Sequence, residues 1–405
     1  MFNEEVSTCR INVYAENVTG SFMLTISEST SINGEPNISA RGNVSGDTTR
    51  NGRRSTRSCR SMDKRNLYTS DGWINAEMLV TCPEPFVIAI GGRGIGKTYG
   101  ILKYLYCNEV PFIYMRRTQT QLDAVTIQPL NPYNQIALDL QQQITAEKMS
   151  KHTAGFFRHE PSADGEDLKD PEPFAIGIAL STFASIRSLS AEKYDVLFFD
   201  EIIPERHEKP IKEEGLAFAN VLESLNRNRE LQSRPPLKVI LATNSNTINS
   251  KILDTLGVID IVDGMTRQGQ CYKSVKGLIA IYRFIDSPIT EKKRSSALYQ
   301  VINNQDFKDM ALDNEFARSD YENVQLKPLA EYTPLCSYGS STIMRHKSKK
   351  EYYCVTGVKA EHYDKMPLST KAFQRKYYYV YGAMLDRKVF YQTISVKMEI
   401  EGAFK

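Results

Sequence analysis

Short runs of mostly apolar residues recur through the middle of the chain, separated by polar and amphipathic stretches. The runs cover residues 86–90, 111–115, 174–180, 196–199, 237–241 and 278–284. An apolar run of this length is typical of a strand that is buried on both faces of a parallel sheet. Helices are predicted between the strands, over residues 99–107, 134–148 and 215–229. The pattern therefore predicts an α/β fold around a central, mostly parallel sheet.

The N-terminal segment has a different texture. Residues 1–61 are rich in Ser, Thr, Asn and Gly, and nothing in them supplies a core. We therefore predict a mostly disordered extension over this segment. Its basic stretch, residues 50–57, is either a solvated tail or a contact for nucleic acid.

The rest of the chain is predicted to contain an α/β domain, a linker and a smaller C-terminal domain. The α/β domain covers residues 62–285, within which the polar residues 150–173 predict an exposed excursion. Residues 286–330 are charged and predict a helical linker. Residues 331–405 mix short strands, at 351–358 and 389–397, with the basic stretch 371–384.

The strongest motif follows the first apolar run directly. Residues 91–98 match the phosphate-loop pattern G-x-x-x-x-G-K-[ST] in full: Gly91, Gly92, Arg93, Gly94, Ile95, Gly96, Lys97 and Thr98. Glycines allow backbone N–H groups to surround a polyphosphate, because no Cβ blocks their approach and unusual φ values cost little. Lys97 is expected to reach the β- and γ-phosphates of ATP and Thr98 to bind Mg²⁺, while the next helix points its positive end at the anion. A glycine-rich turn between two core elements is the alternative.

A pair of acids ends the fourth apolar run. Asp200 and Glu201 follow residues 196–199, about a hundred residues after the phosphate loop. In phosphate-loop enzymes we expect this strand beside the first, with Asp200 in the Mg²⁺ shell and Glu201 polarising an attacking water. The alternative is that the acids cap the first turn of the next helix.

Two further strand ends carry polar side chains. Thr243 and Asn244 follow residues 237–241, where they could sense the γ-phosphate or simply form a turn. Arg116 and Arg117 follow residues 111–115. Ligands bind at the carboxyl ends of the strands in open α/β sheets, so this pair is either a ligand contact or a solvated strand end.

The distribution of charge changes the picture for the C-terminal segment. The whole chain carries a net charge of only +3, but residues 341–388 contain eleven Lys and Arg against four Asp and Glu. Lys371, Arg375 and Lys376 lie beside several tyrosines there. Lysines can neutralise phosphates while bases stack on tyrosines, which predicts DNA binding; tyrosines packed into a small core are the alternative.

Composition excludes several classes of protein. The length of 405 residues allows two or three domains with a sizeable core. The seven cysteines contain no C-x-x-C pair, so we expect reduced thiols in an intracellular protein without a zinc site. No apolar run approaches 18 residues and the N-terminus lacks a signal sequence, so we expect a soluble, cytosolic protein.

Taken together, the motifs resemble those of viral genome-packaging motors. The resemblance is to the DNA-packaging ATPases, or encapsidation proteins, of small tailed phages with protein-primed linear genomes. The matching pieces are IGGRGIGKTYG (90–100), FIYMRR (112–117), VLFFDE (196–201), RNRE (227–230) and ALDNEF (311–316). The stretch MDKRNLY from Met62 also resembles the beginning of such proteins.

The resemblance implies a fold and a mechanism. The fold would be a P-loop NTPase domain of the additional-strand, catalytic-Glu type, followed by a small C-terminal α/β domain. It implies a homo-oligomeric ring, usually a pentamer, that uses ATP and Mg²⁺ to push double-stranded DNA through the portal of a preformed capsid in the host cytoplasm. Arg227 falls on the family's arginine finger, and Arg187 falls where relatives carry a second basic residue acting in trans.

The resemblance also bears on the C-terminal domain and on RNA. Large terminases carry an RNase-H-like nuclease built on carboxylates, and residues 341–347 and 352–358 contain none. We therefore expect a vestigial nuclease-like fold that serves DNA contact. A packaging RNA is a further possible partner. The competing functions are a DNA helicase or remodelling ATPase, and a nucleotide-gated assembly scaffold with little hydrolysis.

Overall fold

The computed structural model describes residues 67–161, 167–186, 189, 191–205, 207–358, 364–365 and 370–404. The predicted extension, residues 1–61, lies outside the described residues. Strands in the part of the chain that the structure describes form two separate sheets. No helix in these described ranges is long and apolar enough to cross a membrane.

The larger sheet forms the centre of the α/β region. Its strands are β1 (Phe86–Gly91), β2 (Phe112–Arg116), β3 (Gln143–Lys148), β4 (Thr153–Pro161), β5 (Asp167–Lys169), β6 (Ala175–Ala179), β7 (Val196–Asp200), β8 (Lys238–Thr243), β9 (Tyr272–Val275) and β10 (Ile279–Phe284). They lie in the order β3-β4-β6-β2-β7-β8-β1-β10-β9, and β5 pairs with β4. The strands from β6 to β10 in this order are parallel, whereas β3, β4, β5 and β9 are antiparallel to their neighbours. The predicted α/β fold with a mostly parallel central sheet is confirmed.

Burial on both faces explains the apolar runs. Successive side chains of a strand point to opposite faces of the sheet. In β1, Val87 and Ala89 therefore pack into one hydrophobic core, while Ile88 and Ile90 pack into another on the opposite face. All four side chains are completely buried. A polar residue at any of these positions would lie in one core or the other, so the run contains none.

The helices connect and cover the strands. They are α1 (Ala76–Thr81), α2 (Lys97–Cys107), α3 (Gln119–Val125), α4 (Asn134–Leu140), α5 (Glu214–Asn226), α6 (Lys251–Thr255), α7 (Ile259–Arg267), α8 (Pro288–Arg294), α9 (Ala297–Val301), α10 (Gln305–Lys308), α11 (Thr370–Lys376), α12 (Tyr378–Leu385) and α13 (Ile394–Phe404). Local sequence sets several of their starts. Thr118 and Gln121, for example, form a capping box at the start of α3.

Two predictions for residues 134–173 are wrong. The predicted helix over residues 134–148 stops at Leu140, because Gln141 adopts a left-handed conformation with φ +53° and β3 follows. Ile144 and Ala146 are buried and alternate with more exposed neighbours in β3, a period of two that indicates a strand. The predicted exposed excursion over residues 150–173 is wrong within β4, because β4 pairs with β6 and buries Phe156 completely.

The position of the strand that carries the acid pair also differs from the sequence prediction. We expected it beside β1, but β8 lies between β1 and β7 and pairs with both in parallel. This inserted strand agrees with the additional-strand arrangement that the family resemblance implies. The carboxyl ends of the three strands still lie at the same edge of the sheet, because all three are parallel.

The smaller sheet belongs to the C-terminal part of the chain. Its strands are β11 (Tyr332–Tyr338), β12 (Ser341–His346), β13 (Tyr352–Thr356), β14 (Asp364–Lys365) and β15 (Val389–Tyr391), in the order β14-β11-β12-β13-β15. Three side chains pack into the core of this sheet: Phe373 of α11, Tyr377 between the helices, and Val380 of α12. The predicted strand over residues 389–397 is wrong beyond Tyr391, because the chain turns into α13 at Ile394.

The last helix joins the two sheets. Ile394 and Met398 belong to a core on the larger sheet, whereas Val396 and Ile400 belong to the core of the smaller one. Between them, the buried Lys397 Nζ donates to the carbonyls of three residues near position 320, at 3.0 to 3.2 Å. The C-terminal sheet is therefore packed against the α/β region as well as linked to it by the chain.

Candidate active site

The phosphate loop forms the turn between β1 and α2. Gly94 and Gly96 have φ values of +66° and +90°, a backbone region that only glycine adopts at little cost. A Cβ on Gly92 would lie 2.6 Å from the carbonyl oxygen of Ala311. Two conformations and one close approach therefore require glycine here. Because α2 begins at Lys97, its first N–H groups have no partners within the helix and are available to an anion at the loop.

Lys97 is buried at the centre of this loop. Its Nζ donates to the carbonyls of Gly91 and Gly92, at 2.7 and 2.8 Å, and to Oδ1 of Asn244 at 2.9 Å. Burial lowers the pKa of Lys97 to about 7, although the nearby Asp200 and Glu201 raise it. A phosphate at this position would supply the negative charge that the three neutral acceptors lack.

Thr98 and Asp200 meet although they lie far apart in the sequence. The Thr98 hydroxyl donates to both carboxylate oxygens of Asp200, at 3.0 and 3.1 Å. Tyr114, on β2, donates to Oδ2 of Asp200 at 3.1 Å. Burial raises the pKa of Asp200, whereas Arg116 lowers it. A hydroxyl and a carboxylate are oxygen ligands of the kind that Mg²⁺ takes beside nucleotide phosphates, so the residues present fit this ion.

Glu201 is held by an arginine from the neighbouring strand. Its side chain is 48% exposed, and Oε2 accepts from Nη2 of Arg116 at 2.6 Å. Nη1 of the same arginine donates to Oδ2 of Asp200 at 3.0 Å. Burial alone would lower the pKa of Arg116, but its neighbours Tyr114, Asp200 and Glu201 raise it overall, so the guanidinium stays charged. One arginine thus positions both acids.

The second arginine of the pair has a different role. Arg117 is 1% exposed, and its Nε donates to Oε1 of Glu214 at 2.8 Å. Nη1 donates to Glu208 at 2.5 Å. Neither arginine is a solvated strand end, as one alternative proposed: Arg116 contacts the acid pair, and Arg117 joins β2 to α5.

Thr243 and Asn244 complete the far side of the site. Thr243 is buried and its hydroxyl donates to the carbonyl of Asn244 at 2.9 Å. The side chain of Asn244 contacts Lys97, as described above. A cavity of about 390 Å³ lies among these groups, lined by Arg93, Gly94, Gly96, Lys97, Thr98, Tyr99, Asp200, Glu201, Thr243 and Asn244.

The remaining loop residues have structural contacts. Ile95 is buried, and its side chain occupies the space where a Cβ on Gly91 would lie. The Arg93 guanidinium forms an ion pair with Glu205, and its carbonyl accepts from Lys293 Nζ. Lys293, which follows β10 in the chain, therefore supports the loop from outside residues 91–98.

Arg227, which is expected to act in trans, lies away from these contacts. Arg227 ends α5 in a left-handed conformation, with φ +40°, and its side chain is exposed. Its Nη2 donates to the carbonyl of Leu189 at 2.9 Å. Arg229, two positions later, is 2% exposed and pairs with Asp195 at 2.7 Å. Arg187 lies outside the described residues.

A model of the podovirus DNA encapsidation protein (Gp16) matches residues 62–330 of this sequence. The chain belongs to this family. It is 27% identical over 233 residues to the DNA packaging protein of Bacillus phage B103, covering 56% of this chain and 63% of that protein. It is 24% identical over 262 residues to the DNA packaging protein of Bacillus phage phi29, covering 63% of this chain and 67% of that protein.

Solved structures show the same fold. The Phi-28 gp11 DNA packaging motor aligns with a TM-score of 0.58 and 16% identity, over 83% of this chain and 99% of that one. The phi29 viral genome packaging motor assembly aligns with a TM-score of 0.57 and 16% identity, over 82% and 100%. Both alignments cover a larger share of the chain than the segment that the family model matches.

In this Gp16-family chain the basic residues predicted to bind DNA lie on one helix. Lys371, Arg375 and Lys376 of α11 are all exposed. Of the neighbouring tyrosines, Tyr377 is buried in the core of the smaller sheet, whereas Tyr378 is 72% exposed. Tyr377 therefore packs into the small core, as one alternative holds, whereas DNA binding by the exposed residues stays a prediction. The exposed side chains give the surface the chemistry that phosphates and bases require.

Sequence reasoning missed two contributors to the site and left a third undecided. Tyr114 and Arg116 both contact Asp200; the sequence offered Arg116 as a possible ligand contact and gave no role to Tyr114. Asn314 donates to the carbonyls of Ile90 and Phe284, at 3.1 and 3.2 Å, beneath the phosphate loop. It belongs to ALDNEF (311–316), a piece that resembles the family, and the resemblance was the available indication of its importance.

Proposed function

We propose that this chain is the ATPase subunit of a viral genome-packaging motor, which moves double-stranded DNA into a preformed capsid by Mg²⁺-dependent ATP hydrolysis. One observation carries the proposal. Lys97, Thr98, Asp200 and Glu201 come from two segments a hundred residues apart and converge on one cavity at the carboxyl edge of the sheet. Family membership and the packaging proteins that the chain resembles support the same function.

Each residue has a separate task in this proposal. The loop N–H groups and Lys97 bind the β- and γ-phosphates, and Asn244 orients the lysine before the nucleotide arrives. Thr98 and Asp200 hold Mg²⁺, which when bound neutralises negative charge on the phosphates. Glu201 takes a proton from the attacking water. Its half-exposed carboxylate must first release Arg116, so that the water can bind in the place of the guanidinium. Thr243 and Asn244 lie where the γ-phosphate is sensed.

The proposed assembly is a homo-oligomeric ring, a pentamer by resemblance to the family. Arg227 would complete the site of a neighbouring subunit, and its exposure at the end of α5 supports this role. Arg229 is buried and paired with Asp195, whereas Arg227 is exposed, which makes Arg227 the better finger. Arg187 is proposed as a second basic residue acting in trans. The exposed Lys371, Arg375 and Lys376 would contact DNA, with the capsid portal and a packaging RNA as further partners.

The test is the ATPase activity of the purified protein with and without linear double-stranded DNA. We expect hydrolysis that requires Mg²⁺ and that DNA stimulates. Hydrolysis in neither condition would overturn the proposal and leave the nucleotide-gated scaffold. Separation of DNA strands without capsids would instead favour the helicase.

A further inference from the structure

The only tryptophan of the chain lies against the phosphate loop. A Cβ on Gly96 would be 3.2 Å from Cε3 of Trp73 and 3.8 Å from its Cβ and Cδ2. Despite this contact, Trp73 is 46% exposed. Tryptophan is usually highly buried, because its indole is large and mostly apolar. An indole that is half exposed beside a phosphate loop offers apolar surface to whatever the loop binds.

The segment that carries Trp73 is fixed to the loop. The Ile74 N–H donates to the carbonyl of Ile95 at 3.2 Å, which ties the segment to the phosphate loop itself. The Trp73 carbonyl accepts from the N–H of Thr69 at 2.8 Å, and Leu67 and Ile74 are buried on either side. Since the backbone is held at both ends, the indole is already in place before a ligand binds, and little entropy is lost on binding.

The cavity has two chemically different ends. Lys97 and Asp200 make its inner part strongly polar. Tyr99 lines it on the side of α2, and its hydroxyl accepts from Lys103 Nζ at 3.0 Å and donates to Asp139. Trp73 does not line the cavity as it stands, but it lies against Gly96, a lining residue that directly precedes the buried Lys97. A nucleoside triphosphate has the matching asymmetry, with an anionic chain at one end and a flat base at the other.

We propose that Trp73 stacks on the base of the bound nucleotide. This inference rests on the proposed function. It assigns the part of the site that contacts the base, and so distinguishes a nucleoside triphosphate from an inorganic polyphosphate. The indole makes no hydrogen bond to the base in this proposal, so it favours large ring systems over small ones without reading their polar edges. Purine nucleotides therefore bind more tightly than pyrimidine nucleotides.

The first experiment uses the intrinsic fluorescence of the parent protein. Because Trp73 is the single tryptophan, its emission comes from this position alone. We expect ATP with Mg²⁺ to change the emission in a saturable way. Inorganic tripolyphosphate, which occupies the loop but has no base, should leave the emission nearly unchanged while competing with ATP in calorimetry.

The second experiment compares Trp73→Ala with Trp73→Phe, which keeps an aromatic face. Stacking of a base on an aromatic side chain corresponds to roughly a 5- to 150-fold change in affinity on truncation to alanine. We expect a loss in this range for ATP with Trp73→Ala and a much smaller loss with Trp73→Phe. The affinity for tripolyphosphate should be the same in all three proteins.

The outcomes separate this inference from the proposed function. Equal losses for ATP and tripolyphosphate in Trp73→Ala would show that the indole only supports the loop, and would overturn the inference. So would saturation with ATP that leaves the emission of the parent unchanged. If Trp73→Ala does not fold, the parent titration and Trp73→Phe still decide. Failure of the parent to bind ATP in calorimetry would overturn the proposed function itself.

Discussion

At the scale of single residues, the position of Lys97 is the most demanding feature of the site. Its ammonium group is buried and is satisfied by two carbonyls and one amide oxygen. Burying an ammonium group costs free energy, which is the reason its pKa falls to about 7. Such an arrangement is useful only if a stronger, charged acceptor replaces these neutral ones.

Lys97→Ala should therefore abolish tight ATP binding, because it removes the positive charge proposed to meet the β- and γ-phosphates. Isothermal titration with ATP and Mg²⁺ measures the effect. Lys273→Ala, the same change at an exposed position of β9, is the control and should bind ATP as the parent does. Unchanged affinity in Lys97→Ala would mean that the loop is only a turn between core elements.

Glu201→Gln should leave ATP and Mg²⁺ bound but stop turnover, because an amide cannot take a proton from water. Single-turnover hydrolysis and nucleotide affinity, measured on the same preparation, separate the two effects. Hydrolysis at the parent rate would place the base elsewhere, and Glu205, which pairs with Arg93, would be the next residue to test.

Asp200→Asn is the matching change at the other acid. It should raise the Mg²⁺ concentration needed for half-maximal activity, since one charged oxygen ligand is lost. The titration of activity against Mg²⁺ is the measurement, and the parent protein is the comparison. An unaltered Mg²⁺ requirement would remove Asp200 from the metal shell.

At the scale of elements, Arg117 joins the end of β2 to the start of α5. Arg117 and Glu214 are both buried, so removing one partner leaves an uncompensated charge. We expect Arg117→Met to lower the free energy of unfolding by about 3–5 kcal/mol in urea denaturation. Arg387→Met, which breaks the exposed pair with Glu322, should cost less than about 1 kcal/mol.

The double variant Arg117→Met with Glu214→Leu tests the cause of that loss. Replacing both members of a buried pair with apolar side chains is far less costly than removing one. The double variant should therefore recover much of the lost stability. A loss equal to the sum of the two single variants would mean that the pair itself is not responsible.

The helix α11 carries the proposed DNA contact. Replacing Lys371, Arg375 and Lys376 together with Ala should weaken DNA binding and reduce the slope of log K against log salt by up to about 3, because fewer counterions are released. Basal ATPase should survive. Replacement of Lys273, Lys276 and Lys292 with Ala removes the same charge elsewhere and is the control. An unaltered slope would assign the α11 residues to another role.

At the scale of the whole molecule, Arg227 distinguishes a ring motor from a self-contained ATPase. An arginine finger supplies roughly 10³–10⁵ in rate, or about 4–7 kcal/mol of transition-state stabilisation. Arg227→Ala should therefore almost silence hydrolysis while ATP affinity stays close to normal. If the finger acts in trans, mixing Arg227→Ala with Glu201→Gln subunits should restore part of the activity.

The recovery has a simple geometric origin. At a mixed junction one subunit supplies an intact Glu201 and its neighbour an intact Arg227, so two inactive proteins make a partly active ring. Mixed assemblies must first be demonstrated by their mass. If they form and no ratio restores hydrolysis, Arg227 acts within its own subunit or has no catalytic part.

Two kinds of feature could be predicted from the sequence, and both are local. A phosphate loop needs glycine at fixed spacing because of sterics within one turn. Residues 91–98 can therefore be recognised as a candidate phosphate loop from their spacing alone. The six adjacent parallel strands β6, β2, β7, β8, β1 and β10 are buried on both faces and are therefore mostly apolar. The sequence prediction failed at β3 and β4, because their residues are mixed in polarity and do not form an apolar run. Their strand conformation follows from the pairing of β4 with β6.

The tertiary structure decided which polar residue does what. Arg116 and Arg117 are adjacent in sequence, yet one contacts the acid pair and the other is buried against α5. Arg227 and Arg229 are also near each other in sequence, yet of the two only Arg229 forms an ion pair with Asp195. Trp73 gains its position from a backbone contact with the loop. In each case the deciding partner lies far away in sequence, so its presence depends on how the strands and helices pack and cannot be deduced from local composition.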